Sequence, residues 1–283
     1  KKYWEFLELK KSAPNYVKKV SILEFDKLKN LVNSKNEIFV KSLARKMYDG
    51  EAFIIRNAAK KNLKKITLDL AKHYDKKKKP SFYKMLDGAP NFHRIIDKKI
   101  TKKYSLYAIK HSYFLYNWNI KSDLEKKFKK GVYRHWRYIK FLAGNSKFKY
   151  EKNIPSQNQI DRLQIVNYPK GGGELRDHVD PRKNQRVVSG LIMSKIGVDF
   201  NSGGFYFRNK QNKKVNIENR LEIGDSVIFY GSIIHGVDVV DRKEKLNWNS
   251  YDSRWFIGMF VNDSNHVKDR ITAKDLTGSV INK

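Results

Sequence analysis

A chain of 283 residues with 40% hydrophobic side chains, including 16 Tyr and 16 Phe, carries enough apolar material for a substantial core and too much for a disordered polymer. A mean hydropathy of −0.70 and the lack of any 18-residue apolar run exclude a bundle of membrane-spanning helices. Zero cysteines exclude disulfides, thiolate metal sites and cysteine nucleophiles, so a metal would have to be held by histidines and carboxylates.

The opening segment KKYWEFLELKK has too short an apolar stretch for a secretory leader, and a cytoplasmic chain with no membrane partner is expected. The net charge of +31 raises a nucleic-acid groove as one reading, because clustered Lys and Arg displace counterions from phosphates. Most of the basic residues are lysines dispersed among many Asn and Ile, the composition of an AT-rich coding sequence. The densest run, Lys76 to Lys79 before Pro80, reads as a solvated loop after a helix. Nucleic acid is therefore the disfavoured partner, and an anionic small molecule is the other use for the charge.

In chain order, the first 50 residues show helical spacing, as in Ile22, Leu23, Phe25, Leu28, Leu31 and Val32, and predict peripheral helices. Glu51 to Arg56 is a short β-type run, followed by Asn57 as a candidate cap and a helix from about Ala58 to Tyr74. Ser105 to Asn119 suits a strand or a short amphipathic element. Ser122 with Glu125 has the spacing of a capping box opening a helix that runs to about Leu142, before Gly144-Asn145-Ser146.

From Asp161 the texture changes to short β-type runs between turn residues: Leu163–Tyr168, Val187–Ile192, Gly204–Arg208, Asn216–Ile217, Ser226–Tyr230, His235–Val240 and Arg254–Val261. Such density implies a sandwich or barrel. The expected organisation is a single catalytic domain over 1–283: a helix-rich part (1–150), a β-barrel core carrying the site (151–262) and a C-terminal tail (263–283).

The segment Arg176-Asp177-His178-Val179-Asp180 carries the chemistry. On extended backbone, residues i and i+2 project to one face, so the His178 imidazole and the Asp180 carboxylate point at one spot. His235 follows 57 residues after His178, a distance that lets an antiparallel barrel return it beside the first pair. Two histidines and one carboxylate on one face leave open positions on an octahedral ion, the arrangement suited to Fe(II) binding a keto acid and then O2. Arg254 lies in the apolar run Arg254-Trp255-Phe256-Ile257-Gly258-Met259-Phe260 and needs an anionic partner there. A guanidinium fork matches a carboxylate, and the distal carboxylate of 2-oxoglutarate is the candidate.

With these residues, Asp161 to Val261 resembles the Fe(II)/2-oxoglutarate-dependent oxygenase superfamily, whose pattern is His-x-Asp, a distant His, then an Arg on the next strand. Glu51 to Tyr74 is more weakly similar to the entry of that family's barrel. Asn167-Tyr168-Pro169-Lys170-Gly171-Gly172-Gly173 looks like the strand and glycine turn before the first ligand in prolyl-hydroxylase-like members. Gly203 to Phe207 and Glu222 to Phe229 look like later segments of those members. The resemblance implies a mainly β fold with a double-stranded β-helix (jelly-roll, cupin-like) core and N-terminal helices packed outside. It also implies His178, Asp180 and His235 as catalytic metal ligands, Arg254 and Tyr168 as 2-oxoglutarate contacts, and hydroxylation of a substrate C–H bond with release of succinate and CO2. Asp180 argues against the halogenating branch, where a small residue replaces that carboxylate.

Two departures from the pattern stand out. The interval from His235 to Arg254 is 19 residues, longer than usual, with a polar insertion from Asp241 to Ser253 that is either a loop over the site or a sign that another residue is the anchor. Phe256 stands where several members have Ser, so Tyr168, Tyr206 and Tyr230 become the candidate second donors. Arg162, Arg176 and Arg186 flank the ligand strands and are candidates for an anionic group on a small metabolite or amino-acid-like substrate. The alternative readings are a peptidyl (prolyl-type) hydroxylase, a nucleic-acid demethylase, and a non-catalytic cupin-like binding protein.

Overall fold

The computed structural model describes residues 1–77 and 79–276. Its elements are α1 (Lys2–Lys10), β1 (Lys19–Glu24), α2 (Phe25–Asn33), α3 (Glu37–Tyr48), β2 (Glu51–Arg56), α4 (Leu63–Lys77), β3 (Phe92–Ile96), α5 (Lys98–Thr101), β4 (Ala108–Tyr116), α6 (Asp123–Leu142), β5 (Gln159–Tyr168), β6 (Glu174–Val179), β7 (Val187–Ile192), β8 (Gly204–Arg208), β9 (Lys214–Asn216), β10 (Ser226–Tyr230), β11 (His235–Asp238), β12 (Arg254–Asp263) and β13 (Lys274–Asp275).

The strands hydrogen-bond in the order β1-β2-β10-β7-β12-β5-β4-β6-β11-β8-β9, with β3 on β4 and β13 on β6. All pairs are antiparallel except β1 with β2. The sheet curls over at β4, whose residues from His111 onward pair with β5 while Ala108 and Ile109 pair with β6. The result is the mainly β, jelly-roll type of core with helices on the outside that the sequence predicts.

Pleating explains why β10 and β12 read as near-continuous apolar runs. Ile228 and Tyr230 of β10, and Ile257, Met259 and Val261 of β12, join the core that the helices cover. The alternate residues Val227 and Phe229, and Phe256 and Phe260, face the interior of the curl. The outer cover is built from amphipathic helices. Ser122 and Glu125 form the capping box that starts α6, and Phe128, Val132, Trp136 and Ile139 recur along its buried stripe. Helix α1 docks through Trp4, which stacks on Tyr230 and donates to the Leu142 carbonyl (2.6 Å), and through Glu8, which takes a bidentate Arg186 (2.8 and 2.9 Å).

Several elements differ from the sequence expectation. The stretch read as helical from Ile22 opens with strand β1, and helix begins only at Phe25. A six-residue run beside β2 gains a full set of parallel ladder bonds that outweighs local spacing. Asn57 adopts a positive φ of 57° instead of capping, so α4 starts later, at Leu63, and continues to Lys77. Of the run Lys76 to Lys79, Lys76 and Lys77 thus belong to the helix, and Lys78 lies outside the described residues. The tail also departs from a simple extension: Lys274 and Asp275 pair with Val179 and His178 of β6, while 277–283 lie outside the described residues. Among the described residues no helix is long and apolar enough to cross a membrane.

Where α6 meets β5, Lys140 Nζ lies 2.7 Å from Asp161 Oδ2, both side chains fully buried, and Tyr133 donates to the same carboxylate at 3.0 Å. Removing one partner strands the other charge in the core, which costs about 3–5 kcal/mol. Lys140→Met should therefore lower urea-unfolding stability by that amount, and Lys140→Met/Asp161→Asn should recover most of it. Equal stabilities for the two variants would show that the pair is not what holds α6 to β5.

Candidate metal and co-substrate site

Strands β6 and β11 run antiparallel with His178 directly opposite His235, ring centroids 4.1 Å apart. Asp180 follows β6 and is fixed by its own N–H, which donates to the Gly231 carbonyl (2.9 Å). The return of His235 depends on Gly236, where a Cβ would sit 2.5 Å from the Tyr206 hydroxyl and 2.7 Å from the Leu175 carbonyl. No larger residue fits beside that ligand.

The two imidazoles are oriented in the same way. His178 Nδ1 lies 2.9 Å from the Arg176 carbonyl, and His235 Nδ1 lies 2.9 Å from the Ile233 carbonyl. A ring nitrogen facing a carbonyl carries the proton, so each Nε2 presents a lone pair. Burial, with nearby His235 adding to it, pushes His178 down to about 4, and the ring is neutral near pH 7. His235 Nε2 is 3.4 Å from Asp180 Oδ2, and one ligand atom from each of the three residues lies within 4.8 Å of the others. Metal–ligand bonds of about 2.1 Å at right angles place neighbouring ligand atoms about 3 Å apart, so small side-chain adjustments close the set on one divalent ion. Two lone pairs and a carboxylate converging in a buried site repel one another, and a cation relieves that repulsion. The donor set therefore fits a 2-His-1-carboxylate metal. Among the described residues it is the one cluster of three such groups.

These groups open into a cavity of about 420 Å3 inside the curled sheet. Arg254 and Tyr168, register partners across β12 and β5, line it together. The Tyr168 hydroxyl is buried with no hydrogen-bond partner among the described residues. Arg254 is 2% exposed, and its Nε and Nη2 both reach Glu218 Oε2 at 3.0 Å. The sequence suggests an arginine awaiting a ligand; the fold gives it a carboxylate already. Glu218 is seated by the Phe205 N–H (2.6 Å) and by Gly204, at φ +101°, where a Cβ would come within 2.5 Å of the Glu218 side chain. Because Glu218 takes the edge formed by Nε and Nη2, Nη1 is the end of the fork that a ligand would meet.

The other expected residues divide. Arg162 lines the cavity, whereas Arg186 is committed to Glu8 on the outer surface and Arg176 lies over the Tyr107 ring (3.8 Å), so neither lines it. Tyr206 donates to Asp177 and Tyr230 to Glu8, which leaves Tyr168 as the available second donor. The Asp241–Ser253 insertion does not cover the metal site. Trp248 and Tyr251 instead line a separate cavity of about 300 Å3 beside the buried His93–His111 pair, and the Tyr251 hydroxyl donates to Asp75 (2.6 Å). Sequence reading misses Glu218, Lys110 and Arg270, all of which bear on the main cavity. Burial first, then the charge of Arg162, pushes the Lys110 ammonium down to about 8, and burial pushes Arg162 down to about 10.

Individual substitution of His178, Asp180 or His235 by Ala should abolish stoichiometric Mn(II) or Fe(II) binding in anaerobic calorimetry while the far-ultraviolet circular dichroism stays unchanged. Wild-type affinity in the triple variant would refute the ligand assignment.

No protein-family model and no curated protein matches the sequence. Solved structures do match the fold. A full-length Neurospora crassa protein in complex with α-ketoglutarate (2-oxoglutarate) and 5-formyluracil aligns with a TM-score of 0.52 at 12% identity, covering 87% of this chain and 84% of that one. The complex of the same protein with α-ketoglutarate alone gives 0.50 at 13%, over 87% and 85%. A Pseudomonas putida prolyl-4-hydroxylase gives 0.47 at 10%, over 78% and 97%. The chain thus shares its fold with that α-ketoglutarate-bound Neurospora crassa protein, and a His-x-Asp…His cluster lies inside its curled sheet.

Proposed function

We propose that the protein is an Fe(II)- and 2-oxoglutarate-dependent dioxygenase, 1–283 forming a single catalytic domain, that hydroxylates a C–H bond of a small metabolite in the cytoplasm. The observation that carries this reading is the convergence of two Nε2 lone pairs and the Asp180 carboxylate beside a buried arginine and an unpartnered tyrosine hydroxyl in one cavity.

His178, Asp180 and His235 would hold the ion and leave its remaining positions facing the cavity. The ion and co-substrate together supply oxidative decarboxylation coupled to C–H oxidation, with 2-oxoglutarate and O2 consumed and succinate, CO2 and an alcohol formed. The chain's own contribution is binding and exclusion. Arg254 offers Nη1 to the distal carboxylate of the co-substrate, held in orientation from its other edge by Glu218. Tyr168 has a donor directed at no protein acceptor and supplies the second bond. Phe205, Phe229 and Phe256 wall the site, so the reacting carbon meets the ion out of bulk water.

Succinate formation from 2-oxoglutarate, dependent on Fe(II) and O2, is the direct test, and its absence with metal bound would favour a non-catalytic binding protein. Tyr168→Phe should raise the 2-oxoglutarate KM about tenfold, the effect of one hydrogen bond to a charged group, with little change in stability. Arg254→Ala should raise it about 100-fold or more and also destabilise the fold, because Glu218 is left buried without its counter-charge. The double variant Arg254→Ala/Glu218→Gln should regain stability but not co-substrate affinity. If it regains both, another residue is the anchor.

A further inference from the structure

Along β5, Arg162, Gln164, Val166 and Tyr168 all line the cavity, as alternate residues of one strand face must. At about 3.3 Å per residue the backbone span from Tyr168 to Arg162 is about 20 Å. The co-substrate end, with Tyr168 and Arg254, is therefore far from the Arg162 end, and the charge of Asp180 is felt at both.

The Arg162 end has an unusual composition. The guanidinium carbon of Arg162 sits between two phenyl rings, 5.1 Å from the Phe114 centroid and 5.2 Å from that of Phe260. Its Nη2 donates to Gln164 (3.2 Å), while its Nε is buried and has no partner among the described residues. Arg270, from the segment after β12, lines the same cavity and likewise has a buried, unpartnered Nε. Neither arginine has a carboxylate within ion-pair distance among the described residues. Burial disfavours the charge on Arg162, and the charge of Arg270 adds to that effect. The nearest acids are otherwise engaged: Asp180 faces the metal histidines, and Asp263 is taken up by Gln159, Asn184 and Lys183. Two partly desolvated guanidiniums in one cavity with unused donors are costly unless an anion joins them.

Building on the oxygenase reading, we infer that Arg162 and Arg270 form the head-group subsite of the prime substrate, which is an apolar or aromatic molecule bearing a terminal carboxylate or phosphate. The phenyl rings flanking Arg162 fix its guanidinium plane, so the donors present an edge to the anion and do not swing to solvent. The body of such a substrate lies along the wall of Phe114, Val166 and Phe256 toward the ion. A neutral metabolite would leave both arginines unpaired.

The test is calorimetric binding of 3-phenylpropionate, phenyl phosphate and neutral 3-phenylpropionamide to the full chain under anaerobic Mn(II), with and without saturating 2-oxoglutarate. One or both anions should bind in the presence of 2-oxoglutarate, at least about tenfold more tightly than the amide. A preference between the two anions identifies the head group. Arg162→Met and Arg270→Met should each erase the advantage of anion over amide, and Arg162→Lys should retain part of it. Arg270 lies outside the strands, so its variant keeps the question open to measurement if the β5 variant misfolds. The inference is overturned if the amide binds as well as the anions, if neither Met variant changes anion affinity, or if 2-oxoglutarate displaces the anions and so places them at Arg254. Absence of succinate formation by the wild type would instead count against the oxygenase reading, whatever the anion affinities show.

Discussion

The active region rests on one backbone register. Pairing His178 opposite His235 between β6 and β11 sets the ring separation, and the carbonyls of Arg176 and Ile233, each two residues before its histidine, set which nitrogen is protonated. A slip of one residue would turn one histidine to the opposite face of the sheet. The rest of the fold can be read as what keeps this register in place: Gly236 permits the close approach of β11 to β6 and β8, and Gly231 accepts the Asp180 amide where the chain leaves β6. Orientation of the two histidines by main-chain acceptors needs no acceptor side chain to be ordered, because the carbonyls are already held by the backbone fold.

Charge inside the cavity is distributed with equal economy. The space inside the curl of the sheet is lined by Arg254, Lys110, Arg162 and Arg270, yet among the described residues only Arg254 has a fully buried acid against it. Glu218 balances that one guanidinium and fixes its direction, so the co-substrate proposed above would meet an arginine whose position is settled beforehand. The remaining cations face the metal cluster and the aromatic wall. A small part of the chain's positive charge thus lines the cavity, while much of the rest lies on exposed helix faces such as those of α2, α3 and α6.

The convergence of His178, Asp180 and His235 was legible because it is written in local spacing: two residues at i and i+2 on extended backbone, and a histidine ahead of a glycine at the start of another strand. Strands β7, β8 and β10 were legible for a related reason, since apolar runs bounded by glycine turns have few other uses. What escaped depends on contacts remote in sequence. Glu218 follows the short strand β9, and nothing in its neighbourhood marks it as the partner of an arginine 36 residues later. Strand β3 buries its residues without clean alternation, and β1 has spacing that suits a helix equally well. Arg270 lies in a stretch with no periodicity at all, so only the folded chain brings it to Arg162. Arg176 and Arg186 illustrate the opposite error: nearness in sequence to a ligand strand says nothing about which face a side chain takes.

Segment 264–276 changes the mechanical status of the strand that carries His178. At its start β6 is flanked by β4 and β11, but from His178 onward β4 has turned away, and its place is filled by β13. The Leu276 amide donates to the Asp177 carbonyl (2.9 Å) and the Asp275 amide to that of Ser105 (2.8 Å), while the Asp275 carboxylate accepts from the Tyr107 amide (2.9 Å). Without this short strand, His178 would sit on a sheet edge, where backbone groups exchange with water and strands open locally at little free-energy cost. With it, the strand becomes an interior one at the point where the imidazole emerges. A tail of no evident pattern thus sets how rarely the strand that carries His178 frays.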